Sequence, residues 1–110
     1  MLDKIVSITS TVYTLSRGDE GQYIRLEAAG AKTANILGEA SLSIYHRLQL
    51  WGEWNIRNAS TSGDVTLVPG PGVTLNTPAG GTLVLNPGST VTLIQIDEDE
   101  FDVLGQTEAA

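Results

Sequence analysis

Residues 65–93 read VTLVPGPGVTLNTPAGGTLVLNPGSTVTL. Val-Thr-Leu occurs at Val65–Leu67, Val73–Leu75 and Val91–Leu93, and a close relative, Thr82-Leu83-Val84-Leu85, lies between the second and third. Branched side chains that alternate over three or four positions favour the extended backbone, where they pack against cross-strand neighbours. Pro69-Gly70-Pro71-Gly72, Pro78-Ala79-Gly80-Gly81 and Pro87-Gly88 break the runs. Each places a fixed φ before a permissive one, the chemistry of a tight turn. Strand-and-turn units recurring every ~8–10 residues predict an all-β chain. The expected form is a compact antiparallel sandwich or jelly-roll-like domain of short strands with Pro-Gly turns, or a short barrel. A β-solenoid is the alternative arrangement, but the period is irregular and the chain supplies only a few rungs.

The remaining segments read the same way. Tyr23–Leu26 places Ile24 and Leu26 on one face, and Lys32–Leu37 places Ala34 and Ile36 on one face. In Glu39–Leu50 the apolar residues fall at even spacing, which suits a strand better than a helix. Leu48–Arg57 puts Leu48, Leu50, Trp54 and Ile56 on one face, and Gln49, Trp51, Glu53, Asn55 and Arg57 on the other. Val91–Ile96 and Phe101–Leu104 form a last hairpin across the acidic turn Asp97-Glu98-Asp99-Glu100. A single domain covers residues 1–110, with residues 1–10 as an N-terminal interaction arm and residues 105–110 as a flexible tail. The arm reading rests on Ile5, Val6 and Ile8, which alternate enough to add as a strand to a neighbour.

Charge and cysteine content narrow the function. Thirteen acidic residues against six Lys and Arg give a net charge of −7, whereas nucleic-acid binding needs clustered positive charge. The same balance disfavours an anionic membrane surface. With no cysteine there is no disulfide, thiolate nucleophile or Cys-based zinc site. The stretch MLDKIVSITSTVY contains no apolar run long enough for a signal peptide or a membrane span, so synthesis in the cytosol is expected.

Reactive constellations are sparse. His46 is the single histidine, no G-x-S-x-G elbow surrounds any serine, and a surface or packing role outweighs catalysis. Asp97–Glu100 and Asp102 offer oxygen ligands for calcium but lack the glycine of an EF-hand loop, and a solvated turn needs no ion. Neither a catalytic residue nor a cofactor nor a metal is expected. Asn58-Ala59-Ser60 matches a glycosylation sequon but reads as a turn, and the glycines form no phosphate loop. Trp51 and Trp54 lie three apart and face opposite ways on a strand. Trp54 belongs to the core set. Trp51, beside Glu53, is either an exposed anchor for a protein or a sugar or is covered by a second sheet.

Three stretches, Gly18–Leu26 (GDEGQYIRL), Trp54–Asn76 (WNIRNASTSGDVTLVPGPGVTLN) and Pro87–Gly105 (PGSTVTLIQIDEDEFDVLG), carry a resemblance. In this order they resemble the small β-rich virion proteins of tailed bacteriophages, found as capsid decoration (cement) proteins and as domains of tail or head fibres. Phe101 stands where such a domain more often has Trp, and Glu39–Arg47 lacks the expected Pro-rich turn. The resemblance implies a non-enzymatic structural protein. As a decoration protein it would sit on the outer capsid as a dimer or trimer, contact the major capsid protein and bridge capsomers. As a fibre module it would bind a carbohydrate or receptor. The expected partner-binding residues are Ile5, Val6, Ile8, Trp51 and Glu53.

Overall fold

A computed structural model describes residues 5–15, 21–36, 52–97 and 99–109. These residues form ten strands and no helix. In chain order they are β1 (Ile5–Ile8), β2 (Val12–Thr14), β3 (Tyr23–Leu26), β4 (Lys32–Ile36), β5 (Glu53–Asn58), β6 (Val65–Pro69), β7 (Thr74–Asn76), β8 (Val84–Leu85), β9 (Thr90–Asp97) and β10 (Glu100–Gly105). They build two sheets, of order β1-β3-β5-β9-β10-β7 and β2-β4-β6-β8.

The first six strands alternate between the sheets, and each from β3 onward stacks in parallel on the strand two before it. This is a coil of three rungs. Antiparallel pairing enters only with β5–β9, β9–β10 and β6–β8, while β7 joins β10 in parallel. The sheets are therefore mixed rather than antiparallel as expected. Alternating in/out burial fits either arrangement, because a parallel coil with one face in solvent alternates just as a hairpin does. The coil's period is hidden by unequal turns. Ile5 aligns with Tyr23, 18 positions on, but Tyr23 aligns with Asn55, 32 positions on. The longer turn contains residues 37–51, which lie outside the described residues together with the strand expected over Glu39–Leu50.

One core lies between the sheets. Ile24, Leu26, Trp54, Ile56, Val91, Leu93, Phe101 and Val103 point in from the larger sheet, and Tyr13, Ala34, Ile36, Val65, Leu67 and Leu85 from the smaller. Each buried Leu, Ile or Val contributes about 1.5–3 kcal/mol of transfer free energy. Trp54 and Phe101 pack with ring centroids 5.8 Å apart at 58°, a tilted geometry favoured by the ring quadrupoles.

The corners continue the ladder from rung to rung. Glu27 N–H donates to Ile8 O (2.8 Å), Ala59 N–H to Leu26 O (3.0 Å) and Lys32 N–H to Asp64 O (2.9 Å). Gly63 lies so close to Gly30 that a Cβ would collide with the Gly30 carbonyl, and its φ is +79°, so glycine is required there. Three turns, Gly70–Val73, Pro78–Gly81 and Asn86–Ser89, are each closed by a bond from the last N–H to the first carbonyl. The third residue is a glycine at positive φ in every one.

Asn58 joins the last corner to the C-terminal strands. Its backbone exchanges bonds with the 86–89 turn, donating to Ser89 O (2.9 Å) and accepting from Gly88 N–H (2.8 Å). Its fully buried side-chain amide donates to Gly63 O (3.0 Å) and Leu85 O (2.9 Å). The segment expected as a loose tail is tied down instead. Glu108 N–H donates to Val84 O (2.7 Å), Thr82 Oγ1 donates to Glu108 O (2.9 Å), and Ala109 bridges to Gly81. Exposed main-chain groups at the edge of β8 give the segment its partners. Asn58→Ala removes one buried and one half-buried hydrogen bond to main-chain carbonyls and is expected to lower the unfolding free energy by about 2–4 kcal/mol, measured by urea denaturation.

Candidate interaction surface

The six-stranded sheet turns one face to the core and the other outward. On the outer face, strand register lines up Ile5, Tyr23, Asn55, Thr92 and Leu104 in one cross-strand row. Ile5 is 62% exposed and Leu104 is 49% exposed, so the row carries a large apolar side chain at each end. The next row towards the β9–β10 turn holds Glu53, Ile94, Asp102 and Asn76. The row on the other side holds Ser7, Arg25, Arg57 and Thr90.

Charge is graded along this face, with Arg25 and Arg57 at one end and Glu53, Glu100 and Asp102 towards the other. Polar side chains are locked together across strands. Asn76 Nδ2 donates to Glu100 Oε2 and to Asp102 Oδ1, both at 2.9 Å. Thr92 Oγ1 donates to Asn55 Oδ1 (2.8 Å), and Arg57 Nη1 donates to Thr90 Oγ1 (3.3 Å). Arg25 Nε donates to Glu27 Oε2 (3.2 Å), and this bond holds the guanidinium pKa above its ordinary value. Such pairs fix side-chain positions and add little stability in open solvent.

The five expected contact residues separate. Ile5 and Glu53 lie on the outer face, two strands and one row apart. Val6 and Ile8 point the other way and are half-buried against the core. Residues 5–8 do add as a strand, but to their own domain, as the neighbour of β3. The sequence grouped the three apolar residues because they are adjacent, yet pleating sends alternate ones to opposite faces. Trp51 and His46 lie outside the described residues. Leu104 joins the surface unannounced. Its outward parity relative to Phe101 and Val103 was the available signal.

Other candidate sites resolve into local structure. The Asn58 side chain of the sequon is buried and donates both its bonds to backbone carbonyls, which leaves no amide for a glycan. Asp99, with φ +57°, is a turn residue of the β9–β10 hairpin, and Glu98 lies outside the described residues. Among the described residues no group of three or more His, Cys, Asp or Glu is placed to hold a metal ion. No helix there is long and apolar enough to cross a membrane. A shallow cavity of about 360 Å³ lies between the 57–61 corner and Pro87-Gly88. No family model, no curated protein and no solved structure matches the chain.

Lys32 is an inward cation at the corner of the coil. It is buried, and its Nζ donates to Gly30 O (2.7 Å) and Ser62 O (3.2 Å). Burial lowers its pKa from the ordinary lysine value, partly opposed by the Asp64 carboxylate. The native state therefore binds this proton less tightly than the unfolded chain, and stability rises as pH climbs through the lowered native pKa towards the ordinary value. A pH series of urea unfolding curves is expected to show this alkaline rise in the native protein. Lys32→Met is expected to abolish it.

Proposed function

We propose that the protein is a non-enzymatic structural protein of a tailed-bacteriophage virion, a capsid decoration protein that binds the outside of the assembled shell and bridges capsomers. The observation that carries this reading is the outer face of the six-stranded sheet, cross-bonded and carrying exposed Ile5 and Leu104 in one row. Isolated exposed apolar residues need no explanation, but two at the ends of one rigid row suit a docking surface. The resemblance of Trp54–Asn76 and Pro87–Gly105 to phage virion domains supplies the partner, the major capsid protein. The finer fold belongs to the same reading, a compact sandwich-like block whose product is a surface. Ile5 and Glu53 would contact the shell, together with Trp51, whereas Val6 and Ile8 hold β1 in place.

The mechanism is linkage. A protein that binds the assembled shell and not free capsomers stabilises assembly by mass action. Six strands about 4.8 Å apart and three to eight residues long present on the order of 500 Å² of outer area, below the ~800 Å² per partner of a stable interface. Each copy's hold is then modest, and strength comes from several copies engaging one lattice.

Densitometry of purified virions against the major capsid protein tests the reading. Copies in the hundreds, near a simple ratio to the capsid protein, are expected. A few to a few dozen would make the protein a fibre module with a carbohydrate or receptor as its ligand, and absence from virions would sink both. Leu104→Glu, at an exposed position, is expected to weaken capsid binding at least tenfold in a co-sedimentation assay while leaving the melting temperature within ~2 °C.

A further inference from the structure

The two ends of the three-rung coil differ. At the C-terminal end, β9 and β10 extend the larger sheet, and residues 106–109 cover the edge of β8. At the N-terminal end, β1 and β2 are both edge strands, each paired on one side only among the described strands. In a parallel ladder a residue turns its N–H and C=O to one side and its neighbours turn theirs to the other. Ile8 O accepts from Glu27, Thr11 O accepts from Thr33, and Leu15 N–H donates to Asn35. By alternation, the main-chain groups of Ser7 on β1 and of Val12 and Thr14 on β2 point away from the coil. Ser10 Oγ takes the Val12 N–H (3.2 Å).

Exposed edges are normally blunted by charge, proline or a bulge. Neither Ile5–Ile8 nor Val12–Thr14 contains a charged residue or a proline, although the chain's net charge is −7. We propose that this end of the coil pairs, rung to rung, with a second copy of the chain. Two features select that occupant. First, only three residues, 9–11, link β1 to β2 across the gap between the sheets, so both open edges lie at the same end of the coil. A single peptide can satisfy one edge, whereas the matching end of another copy presents both. A twofold axis perpendicular to the sheets lays β1 antiparallel to its mate and β2 antiparallel to its mate, extending both sheets at once. Second, an uncharged edge lets two acidic molecules meet without opposing like charges. It offers nothing to a basic or an acidic partner.

Sedimentation of the purified full chain over a range of concentrations tests this on the isolated protein, so its failure would leave the capsid reading standing. A reversible dimer of twice the 11.6 kDa chain mass is expected. Ser7→Pro removes an outward N–H and spares the bonds of Val6 and Ile8 to β3. Ser7→Lys places like charges against each other across the twofold axis. Each is expected to raise the dimer dissociation constant at least tenfold, with an unchanged circular dichroism spectrum. A protein monomeric up to about millimolar concentration, a closed trimer, or a dimer that survives both substitutions would overturn the proposal. Ser7→Lys decides the matter if the proline variant does not fold.

Discussion

The architecture depends on a chain that crosses from one sheet to the other without abandoning its hydrogen bonds. At each corner between β1 and β6 the backbone must leave one ladder and enter a second about 10 Å away. The corners at 9–11, 27–31 and 59–64 meet this by stacking, so that a turn in one rung bonds to the turn of the next, as Ala59 does to Leu26 and Lys32 to Asp64. Gly63 permits the close approach, and the buried Lys32 amine adds donors to the Gly30 and Ser62 carbonyls. Without the stacked corners the short strands would have neither register nor a shared interior.

Asn58 marks where the coil stops. A fourth rung would have to continue over β5, but there the chain turns through 86–89 and β9 returns antiparallel. One buried amide serves two carbonyls from different segments, so the change of pairing direction leaves both bonded. The C-terminal residues close the adjacent edge with hydrogen bonds of their own, from Glu108 N–H to Val84 O and from Thr82 Oγ1 to Glu108 O. Among the described residues the coil is finished at one end and open at the other, an asymmetry that bears on how it meets other molecules.

Much of the core was legible in the sequence. Period-two alternation identifies Ile24, Leu26, Trp54, Ile56, Val65, Leu67, Val91 and Leu93 as inward, and the acidic hairpin joins β9 to β10. Pairing direction was not legible, because direction depends on which strand lies alongside and alternation reports only which face is wet. The coil's period was masked by the unequal second turn. The outer face was half legible: Ile5 and Glu53 share it as exposed positions, but Leu104 was not singled out from the last hairpin. Val6 and Ile8, adjacent to Ile5 in the chain, lie on the opposite face of β1.

The unequal turns have a consequence for how such a protein can change. Tyr23 stacks on Asn55 as regularly as Ile5 stacks on Tyr23, although one turn is 14 residues longer than the other (32 against 18). Rung geometry is therefore insensitive to how much chain passes between β4 and β5, provided the ends return to their places. The entropy cost of closing a longer turn grows only logarithmically. That connection is a site where length and composition can drift, or be exchanged by design, without altering register elsewhere. A small rigid coil can thus carry a variable segment at almost no cost to itself.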